Sequence, residues 1–72
     1  MKIVKTAMYS CKELPKGKSL VIMTDNDGFL WALPIIRLEG FTTPYITIEE
    51  VCFALNLSEP VLLWERIENI EI

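Results

Sequence analysis

The sequence feature that most constrains the fold is a turn signal between two apolar runs. Residues 20–23 and 29–33 are apolar and rich in strand-forming types, and the segment Asp-Asn-Asp-Gly at positions 25–28 lies between them. Glycine adopts positive φ without steric cost, and Asp and Asn tolerate it, so Asp-Gly between two such runs favours a tight turn. The sequence therefore predicts a β-hairpin around Asp25 and Gly28.

Further strands are predicted on either side of this hairpin. Residues 2–9 alternate imperfectly between polar and apolar types, which is typical of a half-buried strand, and a polar loop follows over residues 12–18. Pro34 interrupts the second hairpin run, as expected at a strand end. Residues 35–38 are read as a continuing strand segment that ends at Gly40. Together these segments predict an antiparallel sheet of three or four strands.

The periodicity then changes to that of a helix. Thr47 is a good N-cap, and Glu50 follows it at the spacing of a capping box. The apolar residues recur at the i, i+3, i+4, i+7 positions of one helix face: Ile48, Val51, Cys52 and Leu55. Asn56 readily adopts the left-handed conformation found at helix ends, so the helix is predicted to stop there.

A second helix is predicted to start at Ser58, with Glu59 and Pro60 in its first turn, where both residue types are favoured. Its apolar contacts would come from Val61, Leu62, Trp64 and Ile67. Residues 68–72 alternate charged or polar residues with isoleucine, so a terminal strand is an open alternative for that stretch. The predicted fold class is α+β, a small antiparallel sheet with a C-terminal helix or helix-turn-helix packed on one face.

The segment 47–67 resembles the helix-turn-helix of MerR-like regulators and phage excisionases. The positions that match the pattern of that family cover about a third of the chain: Thr47, Ile48, Glu50, Val51, Leu55, Ser58, Leu62, Trp64, Glu65 and Arg66. Residues 45–57, preceded by a hairpin, also resemble the N-terminal domains of phage antirepressor-type proteins. The resemblance implies a DNA-binding helix pair. Leu63 stands where the family usually has arginine, and Asn56 replaces the usual turn glycine.

Size and composition indicate what a folded chain of this kind leaves exposed. A chain of 72 residues corresponds to one domain, here taken as residues 1–72, and a domain of this size buries only about 60% of the surface that its unfolded chain exposes. Because 51% of the residues are hydrophobic, some apolar surface is expected to face a protein partner or a second copy of the chain. No segment has the roughly 18 apolar residues of a membrane span and no signal peptide is evident, so a cytoplasmic location is predicted.

Charge is divided unevenly along the chain. Residues 1–18 carry five lysines against one glutamate, a balance of +4, whereas residues 19–72 carry two arginines against nine acidic residues, a balance of −7. Tight binding to nucleic acid requires neutralisation of phosphates, so this acidic remainder disfavours it. If the helix pair does contact DNA, the candidate contacts are Arg66, Lys12, Lys16 and Lys18.

Catalytic, metal-binding and cofactor-binding chemistry finds little support in the residue types present. The chain has no histidine, which removes the commonest general base and zinc ligand. Cys11 and Cys52 lack metal-ligand spacing and are predicted to be reduced, Cys52 in the core and Cys11 exposed in a polar stretch. No P-loop or dinucleotide fingerprint is present. We therefore expect neither catalysis nor a cofactor nor a metal.

The function predicted from the sequence is that of a small, non-catalytic regulatory or inhibitory protein-binding module, of the kind encoded by phages and mobile elements. Its candidate partner contacts are Phe29, Trp31, Leu63 and Arg66, because aromatic and arginine side chains dominate binding hot spots and the last two share a face of the predicted second helix. The alternative is a small DNA-binding transcriptional regulator that uses a helix-turn-helix at residues 47–67.

Overall fold

In the part of the chain that the structure describes, the fold is a five-stranded antiparallel sheet with a short helix. The computed structural model describes residues 2–33 and 44–71. Within these residues the strand order across the sheet is β4-β3-β2-β1-β5. The elements, in chain order, are β1 (Lys2–Ser10), β2 (Leu20–Asp25), β3 (Leu30–Leu33), β4 (Pro44–Tyr45), α1 (Ile48–Leu55) and β5 (Val61–Glu71).

The predicted hairpin is confirmed as the β2–β3 pair. Ile22 lies opposite Ala32 across this antiparallel pair. The turn between the strands is held by Asp25, whose side chain is only 4% exposed and whose Oδ1 accepts hydrogen bonds from the backbone N–H groups of Asp27 (2.8 Å) and Phe29 (3.0 Å). Gly28 has φ of 90°, a conformation that glycine adopts without strain. The sequence signal and the observed turn therefore have the same physical cause.

The first strand predicted from the sequence, over residues 2–9, is confirmed as β1. This strand lies inside the sheet, pairing with β2 on one side and with β5 on the other. Ala7, which is buried, stands between Ile22 of β2 and Glu65 of β5. The strand segment predicted over residues 35–38, and Pro34 with it, lie outside the described residues.

The helix predicted after Thr47 is also confirmed, together with both of its ends. The Thr47 hydroxyl accepts a hydrogen bond from the backbone N–H of Glu50, and the Glu50 carboxylate accepts one in return from the backbone N–H of Thr47 at 3.1 Å. Asn56 adopts the left-handed conformation at the C-cap, with φ of 57°. Both caps satisfy backbone groups that a short helix would otherwise leave without partners.

The main apolar core lies between α1 and the sheet. Its buried members come from the position just after β1, from β2 and β3 and from the inner face of α1: Cys11, Leu20, Ile22, Ala32, Val51 and Cys52. Cys52 is buried, as predicted. The prediction that Cys11 is exposed was wrong, because this residue is 6% exposed and packs in the same cluster as Cys52.

The predicted fold class was wrong, because the described chain is mostly sheet, with one short helix and with five strands in place of the three or four predicted. The stretch predicted as the second helix of a helix-turn-helix at 47–67 instead forms β5, an eleven-residue strand paired antiparallel with β1. The α1 helix is therefore not C-terminal, because it lies between β4 and β5 in the chain.

Contacts with the distant β1–β2 loop explain why Ser58 does not cap a helix. The backbone N–H and the hydroxyl of Ser58 donate to the Glu13 carboxylate at 2.6 and 2.5 Å, and the Ser58 carbonyl accepts from the backbone N–H of Lys12 at 3.0 Å. Glu59 adopts a positive φ of 53°, which is incompatible with the first turn of an α-helix. The chain after Ser58 therefore runs beside β1, and the backbone groups of residues 61–71 pair with that strand.

Candidate interaction edge

The functional candidate that stands out is β5, because it is a long strand at the edge of the sheet. Its eleven residues, Val61–Glu71, pair with β1 and with no other strand in the part of the chain that the structure describes. Pro60 precedes the strand and no proline lies within it. An edge strand of this length presents a row of outward backbone N–H and C=O groups that a further strand can bind.

The side chains of this strand are unusually apolar for their exposure. Six large hydrophobic residues of β5 are between 40% and 80% exposed: Val61, Leu62, Leu63, Trp64, Ile67 and Ile70. Natural sheets usually protect long edges with charges, bulges or covering segments, because an exposed apolar edge promotes association. The β1–β5 ladder does contain two register irregularities, near Met8 and near Ile3. The strand nevertheless combines apolar surface with a row of outward backbone groups that no other described strand pairs with.

The charged residues of β5 are organised around Arg66. Its Nε donates a 2.9 Å hydrogen bond to Oε2 of Glu68, two residues further along the strand. Its guanidinium also lies 5.5 Å from the centroid of the Trp64 ring, within cation–π range. The pKa of the Glu68 carboxyl lies below its ordinary value, mainly because Arg66 donates this hydrogen bond to it. The middle of the strand thus carries a positive and a negative group side by side.

A second ion pair ties β5 to its neighbour in the sheet. Lys5 Nζ of β1 lies 3.5 Å from Oε1 of Glu65, and both side chains are about half exposed. Solvent-exposed pairs of this kind contribute little to stability. The Glu65 carboxylate is therefore paired with a lysine of the neighbouring strand. Arg66 and Glu68, near the middle of the edge strand, pair with each other instead.

The four predicted partner contacts fall into two separate groups. Leu63 and Arg66 belong to β5, and both are exposed. Phe29 and Trp31 belong to the β2–β3 hairpin, and β3 is separated from β5 by two intervening strands. With neighbouring strands roughly 4.8 Å apart, these two groups lie about 14 Å from each other across the sheet. The structure therefore does not bring the four residues together as one contact surface.

Trp31 also has an intramolecular role. Its indole Nε1 donates a hydrogen bond to Oδ2 of Asp25 at 2.8 Å. This bond is the main cause that holds the pKa of the Asp25 carboxyl below its ordinary value. Phe29, which is 41% exposed, lies in the turn immediately before β3. Trp31 thus serves the hairpin, and Phe29 is the more exposed of the two aromatic residues.

The predicted DNA contacts do not share a recognition helix. Lys12, Lys16 and Lys18 lie in the exposed loop between β1 and β2, and Lys12 Nζ lies 3.8 Å from Oε2 of Glu59. Arg66 lies on a strand and binds Glu68. The helix that would have carried Arg66 into a groove is the element that the structure replaces with β5. The arrangement expected of a helix-turn-helix reader is therefore not formed.

The two cysteine thiols are free and buried together in the core. Burial is the main cause that raises the pKa of both Cys11 and Cys52, which favours the protonated form of each thiol. Within residues 2–33 and 44–71, no three side chains of the Cys, Asp and Glu types gather as a metal site would require. No helix in the same residues is long and apolar enough to cross a membrane.

The candidate contacts Leu63 and Arg66 were predicted on a helix but lie on β5, and the terminal strand left open over residues 68–72 corresponds to the end of this strand. The predicted second helix was to make its apolar contacts through four residues that are instead exposed on β5: Val61, Leu62, Trp64 and Ile67. The signal that could have found the strand is the density of large apolar and β-branched residues over 61–70. Comparison with known proteins adds no assignment, since no family model, curated protein or solved structure matches the chain.

Proposed function

We propose that this chain is a non-catalytic protein-binding module that regulates a partner protein. It binds a strand of that partner along the outer edge of β5. The observation that carries the proposal is the combination of an eleven-residue edge strand with six exposed large apolar side chains. In this mode of recognition, main-chain hydrogen bonds supply affinity and alternate side chains supply specificity. The module acts by occupying a surface of its partner.

The position of the core supports β5 as the docking edge. The main apolar cluster lies between α1 and the strands β1 to β3, and it contains no residue of β5. The apolar side chains of β5 therefore contribute little to that core while remaining partly accessible to water. Since about 25 cal/mol is gained for each Å² of apolar surface removed from water, covering this strand is favourable.

The opposite edge of the described sheet is less suited to strand addition. There the outermost strand is β4, which has only two residues, Pro44–Tyr45. Proline lacks a backbone N–H, so it cannot donate to an added strand. Of the two edges that the described residues form, β5 alone offers a long row of backbone donors and acceptors.

The experiment compares the proteins captured by the immobilised wild-type chain with those captured by the Ile67→Lys variant. This substitution places a charge on the most exposed large hydrophobic residue of β5, at 80% exposure. Ile46→Lys is the matched control, because Ile46 is exposed but precedes α1, away from β5. We expect proteins that bind the wild type and the Ile46 variant to be lost with the Ile67 variant.

Identification of the captured protein by mass spectrometry allows the contact to be mapped. When that protein is purified and added back, amide hydrogen exchange of β5 should slow, while the exchange of α1 should not change. Capture of the same proteins by the Ile67→Lys variant, at wild-type yield, would show that the β5 edge is not the docking site.

A further inference from the structure

We propose that the polypeptide bound at β5 is a second copy of the same chain, paired antiparallel with its own β5 about a two-fold axis through Ile67. This inference rests on the proposed function of β5 as a docking edge, and it names the occupant of that edge while the regulated partner is absent. The pairing would join two five-stranded sheets into one continuous sheet. A two-fold arrangement uses the same surface on both copies and closes at the dimer.

Symmetry limits the registers that such a dimer can use. A two-fold axis normal to the sheet keeps each side chain on its own face, and residues directly opposite each other in an antiparallel pair share a face. The axis must therefore pass midway between two copies of the same residue. Every other residue of one copy then lies opposite a residue of the second copy whose number differs from its own by an even amount. Each candidate register is defined by the residue at its centre.

Charge decides among these registers. Centring the pair on Glu65, Arg66 or Glu68 places two identical charges directly opposite each other, which is destabilising. Centring it on Ile67 places Arg66 of each copy opposite Glu68 of the other. Among registers centred on a residue of β5, only this one sets Arg66, its sole basic residue, directly opposite an acidic residue of the strand.

The existing geometry fits the Ile67 register. Arg66 and Glu68 already lie on one side of the strand, since their side chains are joined by a 2.9 Å hydrogen bond. The Arg66 side chain is 66% exposed and that of Glu68 only 12% exposed, so in the dimer each Arg66 would reach across the seam towards the Glu68 carboxylate of the other copy. Ile67, with 80% of its surface exposed, would meet its own counterpart at the axis and lose that exposure.

The first test uses charge reversal and mixing. Arg66→Glu places acidic groups at both positions 66 and 68, and Glu68→Arg places basic groups at both, so each variant alone should be monomeric by light scattering. Their equimolar mixture restores opposite charges across the pair and should form a one-to-one heterodimer in native mass spectrometry. The wild type should dimerise with rising concentration. Equal dimerisation by either single variant would overturn the register.

The second test does not alter charge, so it remains informative if a charge variant fails to fold. Ile67→Cys places two thiols opposite each other at the axis, where paired Cβ atoms are about 5 Å apart. A short bismaleimide should then cross-link the dimer. Asn69→Cys is the matched control, because its two copies would be about 14 Å apart along the strands. Cross-linking of the two variants to the same extent would contradict the register.

The oligomeric state separates this inference from the proposed function. A wild-type chain that remains monomeric at all concentrations, or that grows into open-ended oligomers, overturns the two-fold dimer. If Ile67→Lys still abolishes capture of another protein in that case, β5 remains a docking edge for that partner. If the chain is monomeric and capture is unaffected, both proposals fail.

Discussion

The indole Nε1 of Trp31 donates a 2.8 Å hydrogen bond to Oδ2 of Asp25, which joins the two strands of the β2–β3 hairpin through side chains. The other oxygen of the same carboxylate accepts two backbone N–H groups of the turn. A single buried carboxylate thus fixes both the turn and the aromatic residue that follows it.

Replacing Asp25 with alanine should lower the midpoint of thermal unfolding by several degrees, because two backbone donors and one indole donor lose their acceptor. Thermal unfolding followed by circular dichroism measures the effect. Asp27→Ala is the control in the same turn, since Asp27 is exposed. Equal midpoints for the two variants would mean that the Asp25 contacts do not stabilise the hairpin.

The stabilising effect of Asp25 should depend on pH. Hydrogen bonding holds the pKa of this carboxyl in the folded chain below its ordinary value of 3.8. A group of this kind contributes stability that is present above its unfolded-state pKa and lost as pH falls through its folded-state pKa. The difference in denaturant midpoint between wild type and Asp25→Asn should therefore shrink below about pH 4. A difference that stays constant between pH 7 and pH 2 would refute this linkage.

Removing the N-cap of α1 should weaken the only helix in the described part of the chain. Thr47→Ala deletes the oxygen that accepts from the Glu50 backbone N–H, and such changes cost about 1 kcal/mol. Thr47→Ser keeps that oxygen and should stay within a few tenths of a kcal/mol of wild type. Urea denaturation gives both free energies of unfolding, and the prediction fails if serine and alanine are equivalent.

The thiols of Cys11 and Cys52 should react slowly while the chain is folded. Both are buried, and burial raises the pKa of each, so little reactive thiolate is present at neutral pH. Ellman's reagent should therefore modify both thiols promptly in denaturant and far more slowly in buffer. Rapid modification of the native protein would show that the cluster containing these thiols opens readily.

The bond between Ser58 and Glu13 should secure the start of β5. Glu13→Gln replaces the carboxylate whose pKa is lowered mainly by hydrogen bonding to the Ser58 side chain. We expect faster amide exchange at the beginning of β5 in this variant. Glu49→Gln, on the exposed side of α1, should leave that exchange unchanged. Unaltered exchange in both variants would argue that β1 alone holds the strand.

Local sequence signals were sufficient for the hairpin and for α1. The turn at Asp25 and Gly28 and the caps at Thr47 and Asn56 depend on residues a few positions apart, and the structure forms each of them. In these segments backbone preference, side-chain bonding and apolar spacing all favour the same element.

Local signals alone did not determine whether residues 58–71 form a helix or a strand. Ser58, Glu59 and Pro60 are all favourable at a helix start, and the apolar spacing that follows is compatible with either element. The choice depends on Glu13, which lies 45 residues from Ser58 along the chain, and on the β1 backbone. Tertiary pairing overrode the local preference, and the predicted contact surface changed with it.

The β1–β5 ladder also governs the order in which the chain can fold. Lys2 lies opposite Glu71, so the ladder joins segments that are made at widely separated times during synthesis. While the ribosome is still adding residues 61–71, one side of β1 has no strand to pair with. Closing such non-local contacts is slow, and a nascent chain with an open inner strand is prone to misassembly. Among the described strands β5 is made last, so its synthesis completes the sheet that these strands form.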